Sequence, residues 1–273
     1  MFAKLVKHEF RATRRIIPFI YLATVSMILI NLLVREIAAD WLSGTLMVLL
    51  FVLGLTAVLM TYVIVFFRYY KNLYNSEGYL MNTLPVQPSR LLTSKILVSF
   101  VWLLLSYVLM ACVVVTVALI VAGESQSNLS LLQIIDQIIA GSGLQRSSFF
   151  LAAGLLLGYL ILATLYLLAQ VFFAISLGNV SRFQSMGIGA PILFYLGIYM
   201  VCQLLGLALM LLVPVGLVVE QGVLRVVGES MLSTIQNPER PVIGLGILLL
   251  IVGATIGFFA GCVRLLKNHV SLK

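Results

Sequence analysis

Long apolar runs, broken by short polar patches where the charges cluster, set the pattern of this chain. An α-helix needs about 20 mainly apolar residues to cross the hydrocarbon core of a bilayer. Six stretches meet that length: 16–34, 45–67, 96–121, 149–178, 186–217 and 242–263. None contains Asp, Glu, Lys or Arg. Backbone polar groups in lipid must be satisfied within the segment, so each stretch is expected to be a helix. Pro191 and Pro214 bracket the fifth, which is expected to kink or to begin late. The fold class that follows is an all-α membrane protein of about six transmembrane helices, forming a single domain over 1–273.

Composition supports this solvent. The 273 residues are 62% hydrophobic and only 10% charged, against about 25% charged in a soluble domain. The net charge of +8 does not point to nucleic acid, because the basic residues sit at span ends, where they set orientation. With the N-terminus in the cytoplasm, the inner segments hold Lys4, Lys7, Arg11, Arg14, Arg15, Arg68, Lys71, Arg90, Lys95, Arg182, Arg264, Lys267 and Lys273. Only Arg35, Arg146, Arg225 and Arg240 fall outside. Both termini are therefore expected in the cytoplasm of a multi-pass protein of the inner (cytoplasmic) membrane. The basic segment before the first apolar run is long for a signal n-region and no small-residue cleavage site follows, so the first span is expected to stay as an anchor.

Four segments are expected outside the lipid. Residues 1–17 fit an amphipathic helix lying in the interface plane. Lys4, Lys7, His8, Arg11, Arg14 and Arg15 gather on one arc, opposite Phe2, Leu5, Val6, Phe10, Ile16 and Ile17, with the basic arc toward anionic headgroups. The loop 68–95 carries Asn75 or Ser76 as a helix cap, Glu77 in the first turn, and Pro85 and Pro88 as stops. A helix of about two turns is expected there. The stretch LSLLQIIDQII within 123–148 could form an outer amphipathic helix, with Asp136 solvated. Residues 218–241, VVEQGVLRVVGESML at their heart, are expected to form a helix that dips at the outer interface, a re-entrant element between spans five and six.

The run Ser76-Glu77-Gly78-Tyr79-Leu80-Met81-Asn82-Thr83-Leu84-Pro85-Val86, followed by Arg90 and Lys95, resembles the loop between the second and third spans of the ATP-binding-cassette type-2 permease family. The layout of a basic N-terminal helix, six spans and an outer element also resembles it. The resemblance implies the membrane subunit of an ABC exporter, with loop 68–95 as a coupling helix on a separate ATPase. Glu77, Gly78, Tyr79, Leu80, Leu84 and Pro85 would then contact that ATPase, beside Lys4, Lys7, Arg11, Arg14 and Arg15 of the interfacial helix. It implies a second permease chain, the same or different, and ATP and Mg held by the partner rather than by this chain. One departure is Asn75 and Ser76, where the family often has a further charge before the glycine.

The residues agree with an external motor. No G-x-x-x-x-G-K-[ST] loop is present, so ATP is not bound by that route. Ion-coupled carriers use ionisable residues inside their spans, and these spans have none. A hydrophobic or amphiphilic cargo (lipid, peptide or drug) suits such an interior. An ion-coupled carrier and a non-transporting scaffold or sensor are the alternatives. Enzyme chemistry is not expected, because His8 and His269 are the only histidines and neither has a nucleophile at a useful spacing. Tyr21, Asn31, Tyr107, Gln170, Tyr195, Tyr199 and Gln203 are polar positions that could line a substrate path; their competing use is hydrogen bonding between helices. Gly154 and Gly158, and Gly253, Gly257 and Gly261, are expected to form packing faces within the chain. Cys112, Cys202 and Cys262 are expected to be small buried hydrophobes rather than metal ligands.

Overall fold

A computed structural model describes residues 2–34, 40–74, 87–124, 131–180, 183, 186–236 and 240–268. The chain folds as two compact units, Met1–Ile135 and Asp136–Lys273.

The first unit contains α1 (Phe2–Thr13), α2 (Ile17–Val34), α3 (Asp40–Tyr74) and α4 (Pro88–Glu124). The short helix α5 (Leu131–Ser142) runs across the boundary in sequence. The second unit contains α6 (Arg146–Gly178), α7 (Gly189–Leu212), strands β1 (Gly216–Glu220) and β2 (Val223–Val227), the single turn α8 (Ser233–Gln236), β3 (Ile243–Gly244) and α9 (Gly246–Asn268). Six of these, α2, α3, α4, α6, α7 and α9, are long and apolar enough to cross a membrane. The chain is a multi-pass membrane protein, built on helices where the apolar runs predict them.

Local chemistry explains the boundaries. Pro18 lies in the first turn of α2, where its missing N–H is no loss. Pro88 opens α4 for the same reason. The fifth span begins late, at Gly189, with Pro191 in its first turn, and stops at Leu212 because Pro214 disfavours helix at the residue before it.

Two helices outrun their apolar runs. The 35 residues of α3 and 37 of α4 measure about 52 and 56 Å at 1.5 Å per residue, against a hydrocarbon core of about 30 Å. Residues 68–74 and 88–95 of the expected loop are thus helix. They extend α3 and α4 by about 10 and 12 Å at the same end. That end emits residues 75–86, which lie outside the described residues. The short helix expected there, and with it Glu77, Gly78, Tyr79, Leu80, Leu84 and Pro85, is among them.

The core of the first unit is aliphatic and aromatic. Ile17, Val98 and Trp102 form one cluster, backed by Val6, Tyr21 and Ile64. Met27, Leu50 and Val113 form another. In the second unit α6 is the most enclosed span, lying against both α7 and α9.

The expected helix over 218–241 is instead a β-hairpin. Strand β1 pairs antiparallel with β2, Gly216 opposite Val227 through Glu220 opposite Val223, and with β3 on its other edge. Valine fills five of the ten positions in β1 and β2 and favours a pleated strand. Gln221 (φ 49°) and Gly222 (φ 78°) make the two-residue turn, both in the left-handed region that such hairpins require. A Cβ on Gly222 would lie 2.8 Å from the Gly143 carbonyl oxygen, so glycine also permits a close approach.

Candidate functional site

The polar chemistry of the first unit converges where α1 meets the extended ends of α3 and α4. Glu9 is 5% exposed on the face of α1 that meets α4. Its carboxylate bonds the Lys95 ammonium on α4 and faces the Arg68 Nε of α3 at 3.3 Å. Lys95 is itself 4% exposed. One carboxylate therefore links the two helices that flank residues 75–86 to the N-terminal helix. Burial alone pushes the Glu9 carboxyl up, but Lys95 and then Arg68 outweigh it and hold the group below its ordinary value.

Neutral contacts fix α1 in the same place. The Thr13 hydroxyl donates to the Glu9 carbonyl at 3.0 Å and accepts the indole N–H of Trp102 at 2.7 Å. Phe10 stacks on Trp102, centroids 4.9 Å apart and planes at 12°. The Tyr21 hydroxyl donates to the Trp102 carbonyl at 2.8 Å. The apolar face of the N-terminal helix thus rests on α4. Lys4, Lys7, Arg11, Arg14 and Arg15 remain exposed, the last two in the turn before α2.

Glu9, Arg68 and Lys95 as a cluster are not anticipated from the sequence, where Arg68 registers as an orienting charge and Lys95 as that and as part of the family-like loop. A signal exists: at 100° per residue Glu9 falls among Phe2, Leu5, Val6 and Thr13, an acid on the apolar side of an amphipathic helix.

The polar span residues divide between the units. In the first, Tyr21 bonds Trp102 and lies 3.3 Å from the Thr61 hydroxyl. Asn31 donates to the Met27 carbonyl one turn back at 3.0 Å, and Tyr107 shares a hydrogen bond with Tyr62. These three tie helices together or close on their own helix. In the second unit, Tyr195 and Tyr199 stack along α7, centroids 6.2 Å apart. Gln203, one turn further on, is exposed and lines a cavity of about 360 Å³ among α6, α7 and α9, together with Tyr159, Tyr166, Cys202 and Met231. Gln170 on α6 is 1% exposed, and its Nε2 has no hydrogen-bond partner among the described residues.

Of the two expected glycine packing faces, one position is closed within the second unit: Gly261, where a Cβ would meet Phe173 at 2.6 Å. A Cβ on Gly154, Gly158, Gly253 or Gly257 would meet nothing within 4 Å among the described residues. The cysteines divide too: Cys262 is buried, Cys202 intermediate and Cys112 exposed, all free thiols. The outward position of Cys112 corrects the expectation of a buried residue, since a lipid-facing surface tolerates it as well as a core does.

One group of charges in the second unit gathers around its hairpin. Arg240 contacts Glu220 at 2.5 Å and Glu229 at 3.2 Å, and Arg225 lies 3.9 Å from Glu220. All four are substantially exposed. Ser148, near the start of α6, accepts the Leu224 N–H at 3.2 Å, and the Gln145 N–H donates to the Gly222 carbonyl at 2.8 Å, which seats the hairpin on the α6 N-terminus. Asp136 is exposed as expected, 3.7 Å from an exposed Arg146.

No group of three His, Cys, Asp or Glu able to hold a metal occurs among the described residues. The cavity offers amide, hydroxyl and thiol groups on an apolar wall, which suits a neutral or amphiphilic molecule. Comparison with protein-family models, curated proteins and solved structures finds no match for the chain.

Proposed function

We propose that the chain is the permease subunit of an ATP-driven exporter in the inner membrane, with both termini cytoplasmic and with energy supplied by a separate ABC-type ATPase at residues 75–86. The observation that carries this reading is the buried Glu9–Lys95–Arg68 cluster. It joins the N-terminal helix to two helices that outrun the bilayer at one end, which makes that end a stiff lever rather than a solvated loop. The apolar stretches of the spans hold no Asp, Glu, Lys or Arg, the residues on which ion coupling relies, which favours a lever to an external motor.

In this reading α1 lies at the cytoplasmic interface. ATP closes the ATPase pair, residues 75–86 follow, and α3 and α4 move as rigid bodies. Cargo is a hydrophobic or amphiphilic molecule, and the second-unit cavity beside Gln203 and Tyr166 is the candidate stopping point. The uncovered Gly253 and Gly257, and the sparsely covered α7, leave room for a second permease chain.

The test is reconstitution. Proteoliposomes holding the chain and its ATPase are expected to move a fluorescent amphiphile only with ATP and Mg. Uphill movement by the chain alone, driven by a proton or sodium gradient, would overturn the proposal.

A further inference from the structure

Beside the face of α1 that rests on α4 lies a groove of about 600 Å³. Its floor is Val6, Phe10 and Leu97, and Lys7, Arg11 and Arg14 line its rim. The three cations follow one helical stripe, at i, i+4 and i+7. Among the described residues none of them has an acidic partner, because the one acid of α1, Glu9, is committed to Lys95 and Arg68. Three cations without an acidic partner among the described residues, beside an apolar trough in a chain that sits in lipid, suit an anion with a hydrocarbon tail.

We infer that this groove is a discrete site for one anionic phospholipid, its phosphate on Lys7, Arg11 and Arg14 and an acyl chain along Phe10 and Leu97. Charge complementarity selects the headgroup, and the carbon floor selects a lipid over a free anion, which would leave Phe10 and Leu97 wet. Lys4, His8 and Arg15 do not line the groove, so charge there contributes only diffuse attraction to an anionic surface. The inference depends on α1 lying at the membrane surface and does not depend on an ATPase partner.

The probe is dioleoyl phosphatidylglycerol, against phosphatidylcholine of the same chains, read by native mass spectrometry of the full chain released from mild detergent. One phosphatidylglycerol per chain is expected to survive where phosphatidylcholine does not. Lys7→Gln with Arg11→Gln and Arg14→Gln is expected to lower its retention at least tenfold, at roughly fivefold per cation removed. Lys4→Gln with Arg15→Gln is expected to leave it within about twofold. The single variant Arg11→Gln gives a graded loss should the triple variant fold poorly. A phosphatidylglycerol bearing a photoreactive acyl chain is expected to label the peptides holding Phe10 and Leu97. Equal retention of the two lipids, loss that follows total charge whichever cations are removed, displacement by inorganic phosphate, or labelling spread evenly over the spans would overturn the site.

Discussion

Among the described residues, one ion network of three or more side chains stands in each unit, and the two differ mainly in burial. Glu9, Lys95 and Arg68 join α1, α3 and α4 with two of the three side chains nearly sealed from solvent. Arg240, Glu220, Glu229 and Arg225 decorate the hairpin with every member at least a third exposed. Coulomb attraction between like pairs is several times stronger at the lower effective dielectric of the buried cluster, and the loss of one partner there strands a charge that water cannot reach. The buried network is therefore a structural joint and the exposed one a surface pattern. The comparison locates rigidity at the end that emits residues 75–86.

The largest expected effect breaks the joint. Glu9→Ala leaves Lys95 buried without its carboxylate and is expected to destabilise the first unit by about 3–5 kcal/mol, read as a fall in the thermal midpoint of the purified chain. Adding Lys95→Met should restore much of the loss, since the coupled pair rather than either residue is what the fold needs. The same joint predicts a pH dependence. Its carboxyl is held below the ordinary 4.5, so its contribution is complete above that pH and is lost as pH falls through the lower folded value. The stability gap between wild type and Glu9→Gln should accordingly narrow in acid.

A smaller effect tests the hairpin. Gly222→Val places a branched side chain at positive φ against the Gly143 carbonyl and is expected to cost at least about 1–2 kcal/mol, visible as faster amide exchange over 216–227 with the first unit untouched. Gln170→Leu removes a buried amide whose Nε2 has no partner among the described residues. It is expected to raise the thermal midpoint slightly, by about 1 kcal/mol of stability, while lowering transport if that amide meets cargo. The smallest effect sharpens the contrast itself. Arg240→Gln in the exposed network should cost less than about 1 kcal/mol and less still in high salt. A loss as large as that of Glu9→Ala would erase the distinction between the two networks.

The spans were legible because lipid imposes a length and a polarity that six segments satisfy, and the structure differs mainly in carrying α3 and α4 further. The hairpin was misread because valine-rich segments suit either a buried helix or a strand. The cue in the sequence is a Gln-Gly pair between two short valine-rich runs. The Glu9 cluster was hidden for another reason. In the sequence Arg68 and Lys95 stand as orienting charges at span ends, and only the fold brings residues 9, 68 and 95 together. The cavity lining near Gln203 is likewise a tertiary fact: Tyr159, Gln203 and Met231 come from three separate elements.

The account turns on residues 75–86 being where force from an ATPase enters the braced helices. The direct measurement is ATPase activity co-purifying with the chain, compared between wild type and Glu77→Lys with Leu80→Asp. The account predicts ATP hydrolysis with the wild type and its loss in the double variant, with the thermal midpoint of the permease unchanged. Equal ATPase association in both would contradict it.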